Sequence, residues 1–327
     1  MRILRIVLPL RMFLLCLALA LPGPALAQAY PSKPVRVVVT FPPGSTPDIV
    51  GRTLAGRLQE SLGQPFVVEN RAGAGGNIGA DAVAKAAPDG YTLLVSTNGV
   101  FANNKALYKS MPFDPDKDFA PVSLLATAPQ MLVVNPSLGI GSFKQFLEHV
   151  RRNPGKLSYG SVGAGSASHL TMELLKNDAG VFIVHIPYKG FPPAVTDMLS
   201  GNIHTLFAIV PGVLPHVKAG KMTGLAVTAL KRSPLAPEVP SVGELGYPQL
   251  ESLAWIGLAA PAGTPGGVIG RLSAETMRGM RSQEVRQLLG RQGFDVVAGT
   301  PEEFSKWIRA EAVKWARIIR ASGATID

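Results

Sequence analysis

The stretch Val35-Arg36-Val37-Val38-Val39-Thr40-Phe41-Pro42-Pro43-Gly44-Ser45-Thr46-Pro47-Asp48-Ile49-Val50 decides the fold class. Its β-branched run, 35–40, predicts a short buried strand, and two prolines with a glycine end it. Thr46-Pro47-Asp48 then reads as a helix start, with a capping hydroxyl, proline in the first turn and an acid at the positive end. Val50, Leu54, Leu58 and Leu62 recur every four residues, which predicts one buried helical stripe, and Gly63 stops it. A strand at 66–69, a glycine-rich turn (Gly73, Ala74, Gly75, Gly76), a helix from Asn77 and a strand at 91–95 complete a β-α-β-α-β series. Short loops between alternating elements predict a parallel sheet covered by helices.

A second series begins after 97–121, which reads as irregular. It runs through a strand at 131–134, a helix opened by Ser142, a strand at 157–161, the loop Gly163-Ala164-Gly165-Ser166-Ala167-Ser168 and a helix containing His169. Strands at 182–186, 203–207 and 224–228 and a helix at 193–200 follow. The tail predicts a strand at 255–259 and three helices, the last opened by the capping box Thr300-Pro301-Glu302-Glu303. Two such α/β units predict two lobes, and open parallel sheets bind ligands beyond the carboxyl ends of their strands. A ligand is therefore expected between the lobes, with a hinge absorbing closure.

At the N-terminus, Arg2, Arg5 and Arg11 precede a short apolar run, 12–21, which Pro22-Gly23-Pro24 and Ala25-Leu26-Ala27 close. A basic segment, an apolar core and a small-x-small end predict a secretory signal at 1–27, cleaved after Ala27, and a periplasmic protein not itself inserted in the membrane. Cys16, the only cysteine, falls within that signal, which excludes disulfides and thiolate chemistry from the exported chain. Without the three arginines the formal charge falls from +10 to +7. The remaining cations are scattered, so nucleic acid is not an expected partner.

The chemistry centres on two loops that each follow a strand and open a helix: Gly44, Ser45, Thr46 and Asp48 in one, and Gly163, Gly165, Ser166 and Ser168 in the other. Free N–H groups and small hydroxyls at a helix start suit a carboxylate or phosphate; both loops also read as ordinary capped turns. Asp48 has two readings, first-turn capping or orientation of ligand contacts. His169 lies near the second loop, and Tyr188-Lys189-Gly190 follows a strand end that could reach the cleft. Enzyme signatures fail. Gly73 and Gly75 are followed by Ile78 rather than a third glycine, and no P-loop or nucleophile elbow is present. The histidines show no zinc-ligand spacing, and neither a cofactor nor a metal is expected.

Several segments resemble the Bug proteins, periplasmic receptors of tripartite tricarboxylate transporters. They are Tyr30-Pro31-Ser32-Lys33-Pro34-Val35-Arg36, Val68-Glu69-Asn70-Arg71-Ala72-Gly73-Ala74-Gly75-Gly76-Asn77-Ile78-Gly79, Pro88-Asp89-Gly90-Tyr91 and Pro187-Tyr188-Lys189-Gly190. The resemblance implies an α/β, two-lobed periplasmic-binding-protein (Venus flytrap) fold, with 28–126 and 249–327 in one lobe and 127–248 in the other. It implies a small carboxylate ligand held between the two loops, with Phe41, Asn98 and Tyr188 as neighbours. It also implies a permease of one large and one small subunit. Two departures stand out: Gly44-Ser45-Thr46-Pro47-Asp48 replaces the usual glycine-glycine-x-threonine-aspartate, and Ala208 stands where many relatives carry an acid. A receptor feeding a sensor protein and an α/β cofactor enzyme are the alternative functions. The intact mass of the exported protein checks the leader: a chain starting at Gln28 is expected, and retention of earlier residues contradicts it.

Overall fold

A computed structural model describes residues 30–326 of the chain. The leader expected at 1–27, its cleavage point and Cys16 lie outside the described residues. Strand β1 (Val35–Val39) leads into helix α1 (Thr46–Leu62), then β2 (Phe66–Asn70), α2 (Asn77–Ala84) and β3 (Thr92–Thr97). β1 lies parallel between β2 and β3, and α1 buries Val50, Leu54 and Leu58 as the four-residue period predicts. The start of α1 differs in detail. Ser45 is its cap residue, and no side-chain hydroxyl caps the helix.

The segment expected to be irregular holds a π-helical turn (Gly99–Asn103) and a short helix α3 (Asn104–Leu107). A tertiary contact helps to hold it: the Asn104 amide donates to Gly75 O and to Asn77 Oδ1. Next comes β4 (Phe119–Val134), 16 residues long, where the sequence pattern marked only 131–134. Its first part pairs antiparallel with β9 (Leu253–Pro261), from Phe119↔Pro261 to Pro129↔Leu253. From Gln130 onward it pairs with β7 (Thr205–Ile209) and β8 (Thr223–Val227) instead. The strand thus carries the chain from one half of the sheet to the other.

The second half contains α4 (Phe143–Arg152), β5 (Ser158–Ser161), α5 (Ala167–Ala179), β6 (Val184–Pro187), α6 (Phe191–Ser200) and α7 (Val210–Lys218). α7 escapes the sequence pattern because Pro211, Gly212 and Pro215 all fall inside it. Strand order is β2-β1-β3-β9-β4-β7-β5-β6. The expected parallel pairing holds among β2, β1 and β3 and among β7, β5 and β6. Antiparallel β9 and β4 join the two groups, making the whole sheet mixed.

The tail folds as α8 (Gly266–Met280), α9 (Gln283–Gly290), the short β10 (Asp295–Val296) and α10 (Pro301–Ser322). The Thr300–Glu303 capping box opens α10 as its sequence predicts. This helix packs on both halves. Phe304 and Ile308 join Phe101, Phe119 and Trp255 in one core, while Trp315, Ile318 and Ile319 join Leu132, Phe146 and Leu170 in another. Among the described residues no helix is long and apolar enough to cross a membrane.

At the centre of β9, a Cβ on Gly257 would lie 2.1 Å from the Phe304 ring, so the strand and α10 meet only because that side chain is absent. Gly257→Ala is expected to destabilise the fold by roughly 1–3 kcal/mol through overpacking. Urea unfolding checks this, and an unchanged midpoint would mean that α10 shifts freely.

Candidate functional site

A cavity of about 440 Å³ opens where the carboxyl ends of β1 and β3 face the start of α5, the end of β7 and the start of β9. A larger groove of about 550 Å³ lies across Lys231, Arg232 and Arg291, but neither the α1 nor the α5 start borders it. Of the residues singled out in the sequence, Phe41, Thr46, Asn98, Gly165, Ser166 and Ser168 line the first cavity. Among the described residues no Asp, Glu, Lys, Arg or His side chain borders it. Among the described residues no group of three or more His, Cys, Asp or Glu residues could hold a metal ion.

The other named residues stand beside or behind this wall and shape it. Asp48 is 3 % exposed and accepts hydrogen bonds from Gly44 N (2.9 Å), Arg52 Nε (3.0 Å) and Asn70 Nδ2 (2.8 Å). Burial pushes its carboxyl up, but those bonds and the Arg52 charge outweigh burial and hold it below the usual carboxylate range. Asn70 Nδ2 also donates to Phe41 O, so one acid and one amide pin both ends of the loop. Ser45 Oγ donates to Pro42 O rather than toward the cavity.

The second loop is braced from beneath. Ser166 Oγ donates to Gly163 O at 2.6 Å and caps α5 by accepting from His169 N. Ser168 Oγ accepts from Val162 N and sits 3.0 Å from Ser166 Oγ. Gly165, at φ 77°, donates its N–H to His169 Nδ1 at 3.0 Å; a Cβ there would meet Leu107 at 2.6 Å. His169 stacks on His185 with ring centroids 4.1 Å apart, and His185 stacks on Tyr159 at 4.7 Å. The parallel register Tyr159↔His185 creates this stack. His185 Nε2 meets Ser161 Oγ at 2.7 Å, and Ser161 Oγ in turn donates to Gly163 O. Tyr188 lies outside the cavity wall and donates to Asp197 Oδ2; burial and that carboxylate push its hydroxyl up to about 12.

The sequence pattern did not single out Gln130, Tyr108, Asn104, Phe191, Phe207, Trp255 or Phe294, all of which border the cavity. Only Ala208 carried a signal, as the neutral end of β7. The polar members divide by what they already hold. Gln130 Nε2 donates to Thr171 Oγ1 at 2.7 Å, and Trp255 Nε1 donates to Glu311 at 3.0 Å. Thr46 Oγ1, Thr97 Oγ1, the Asn98 amide and the Tyr108 hydroxyl have no hydrogen-bond partner among the described residues.

Two α/β halves joined by a shared strand, with two helix starts facing one uncharged cavity, define a solute-binding receptor. The chain belongs to the tripartite tricarboxylate transporter family receptors, the TctC family, whose model matches residues 50–324. This is a family of receptors rather than enzymes, and its fold is the two-lobed periplasmic-binding-protein type. The protein is 39% identical to BugT of Bordetella pertussis over 305 residues, 93% of this chain and 94% of that one. Two solved structures from Rhodopseudomonas palustris are also similar. Rpa4515 with adipate has 36% identity and a TM-score of 0.80, covering 91% of this chain and all of that one. MatC with bound malate has 31% identity and a TM-score of 0.76, covering 89% of this chain and all of that one.

The histidine stack generates a pH prediction. Burial, then Lys176, lowers His169 to about 4. Burial lowers His185 to about 4 as well, helped by His169 and Lys176 against the pull of Glu173. An unfolded histidine titrates near ~6.5, so between about pH 6.5 and 4 the unfolded chain binds more protons and stability falls as pH falls. Each ring is expected to remove on the order of 1–2 kcal/mol by about pH 5. Urea unfolding at pH 7 and pH 5 checks this: the drop should shrink in His185→Gln, and an identical drop would contradict it.

Proposed function

We propose that this protein captures a small carboxylate in the periplasm, closes two lobes around it and delivers it to a membrane permease of one large and one small subunit. The observation that carries the reading is the pair of helix starts, α1 and α5, which come from different halves and border one cavity with no charged wall. The first N–H groups of a helix lack intrahelical partners and carry partial positive charge, so together they stabilise an anion without a counter-cation. Asn98 and Thr46 add unpartnered polar groups beside them. The carboxylates in the similar structures, adipate and malate, support this chemistry. The family description supports the transporter partnership.

Lobe closure hinges where the chain passes between halves. β4 changes partners between Pro129 and Gln130, and the chain returns between Leu250, in the second half's core, and Leu253, the first residue of β9, which supports the division 28–126 with 249–327 and 127–248. An ammonium group on the ligand would lack an anionic partner in the wall, because Asp48 is engaged with Gly44, Arg52 and Asn70. Leaving that charge unpaired is costly.

Calorimetric titration with succinate and aspartate, paired with small-angle scattering, tests the proposal. Succinate is expected to bind more tightly, and the radius of gyration should fall on binding. Thr46→Val and Asn98→Leu should each weaken binding by about 1–3 kcal/mol. Tighter binding of aspartate, or no compaction at saturation, would sink the corresponding part of the reading.

A further inference from the structure

The cavity wall is divided in a way that limits how many charges a ligand can carry. Its unpartnered donors, Thr46, Thr97, Asn98 and Tyr108, all come from the β1–β3 half. They gather at the carboxyl ends of neighbouring strands, where Tyr108 also approaches Gly75. The opposite wall is built from the end of β7, the starts of α6 and α7, and Phe294. Phe191, Phe207, Ala208, Ile209 and Phe294 supply it, and none of these side chains donates a hydrogen bond. A Cβ on Gly212 would lie 2.9 Å from the Phe191 ring, so glycine lets that ring lie against α7.

The polar groups near the apolar wall give little to a second anion. Trp255 commits its N–H to Glu311, and Asn104 commits its amide hydrogens to Gly75 O and Asn77. Gln130 spends its NH₂ on Thr171 Oγ1 and Ala167 O, leaving its carbonyl oxygen as the unpartnered group. An acceptor oxygen repels a carboxylate and welcomes a hydroxyl or N–H. Pro192, Pro193 and Pro211 remove N–H donors from the starts of α6 and α7, so a second carboxylate against this wall would be desolvated with few donors to meet it. An aromatic or alicyclic ring would gain apolar burial and edge or stacking contacts there.

We infer that the preferred ligand is a monocarboxylate with a flat, apolar body, its carboxylate at the α1 and α5 starts and its ring against Phe191, Phe207 and Phe294. This rests on the carboxylate reading above and narrows it from small acids in general to cyclic monoacids.

Calorimetry on the full exported protein with benzoate, 3-phenylpropanoate, cyclohexanecarboxylate, succinate and adipate separates the two readings. The best cyclic monoacid is expected to bind at least about tenfold more tightly than either diacid. Phe191→Ala should erode that preference. Ile209→Lys, which places a cation on the apolar wall, should shift it toward adipate. Thermal unfolding of each variant verifies that it is folded, and a variant that is not folded leaves the wild-type ligand ranking as the deciding measurement. A diacid that binds as tightly as every cyclic monoacid overturns this inference while the carboxylate reading stands. Failure of all five acids overturns the carboxylate reading and this inference with it.

Discussion

The molecule depends on a single continuous strand belonging to two halves of a sheet. β4 gives its first part to β9 and its second to β7 and β8, and the exchange occurs at Pro129 and Gln130. A knot of hydrogen bonds fixes that point. Gln130 N donates to Thr228 Oγ1, Thr228 Oγ1 donates to Ser252 O, and Thr171 and Ser252 join hydroxyls at 2.6 Å. These groups are buried, so each broken bond would leave an unpaired polar atom away from water. The same Gln130 side chain reaches Thr171 of α5, tying the crossing point to the helix whose start borders the cavity.

In the proposed function, the cavity would hold a negative charge without a cation of its own. Lysine or arginine in the wall would bind an anion strongly, but it would also need a counter-charge whenever the site is empty. Helix starts avoid that cost because their partial charges are part of the backbone. They must, however, be held in place. Asp48 and Asn70 pin one loop, and the Ser161–His185–His169 group braces the other. Tyr159 and Lys176 both bond Glu173 below that stack, so the charged groups are spent on support rather than on the ligand.

Much of the architecture is legible in residue patterns. The 35–62 stretch yields a strand, a loop and a helix because local sterics, proline and a four-residue apolar period act within one turn or one strand. The Thr300 capping box and the Ser142 cap are local for the same reason. The long β4 is less legible. Its apolar residues run almost without interruption from Val122 to Val134, because both faces are covered, and such a run carries no alternation to mark its length. α7 is hidden by its prolines, and α3 is stabilised by Asn104 contacts with residues almost thirty positions earlier.

The candidate site divides along the same line. The sequence by itself determined that two strand-to-helix loops carry glycines and small hydroxyls at helix starts, because those properties belong to the chain near each residue; the fold then engages the Gly44 and Gly165 N–H groups with Asp48 and His169. Only the tertiary structure decided which polar groups remain unpartnered at the cavity. The folded loop engages the Ser166 and Ser168 hydroxyls, whereas the Asn98 amide and the Tyr108 hydroxyl have no hydrogen-bond partner among the described residues. It also decided that Phe191, Phe207 and Phe294, from three segments far apart in the chain, all border one cavity. A hydrogen bond or a ring contact needs a partner in space, and that partner's identity is set by packing between distant segments rather than by neighbours in the chain.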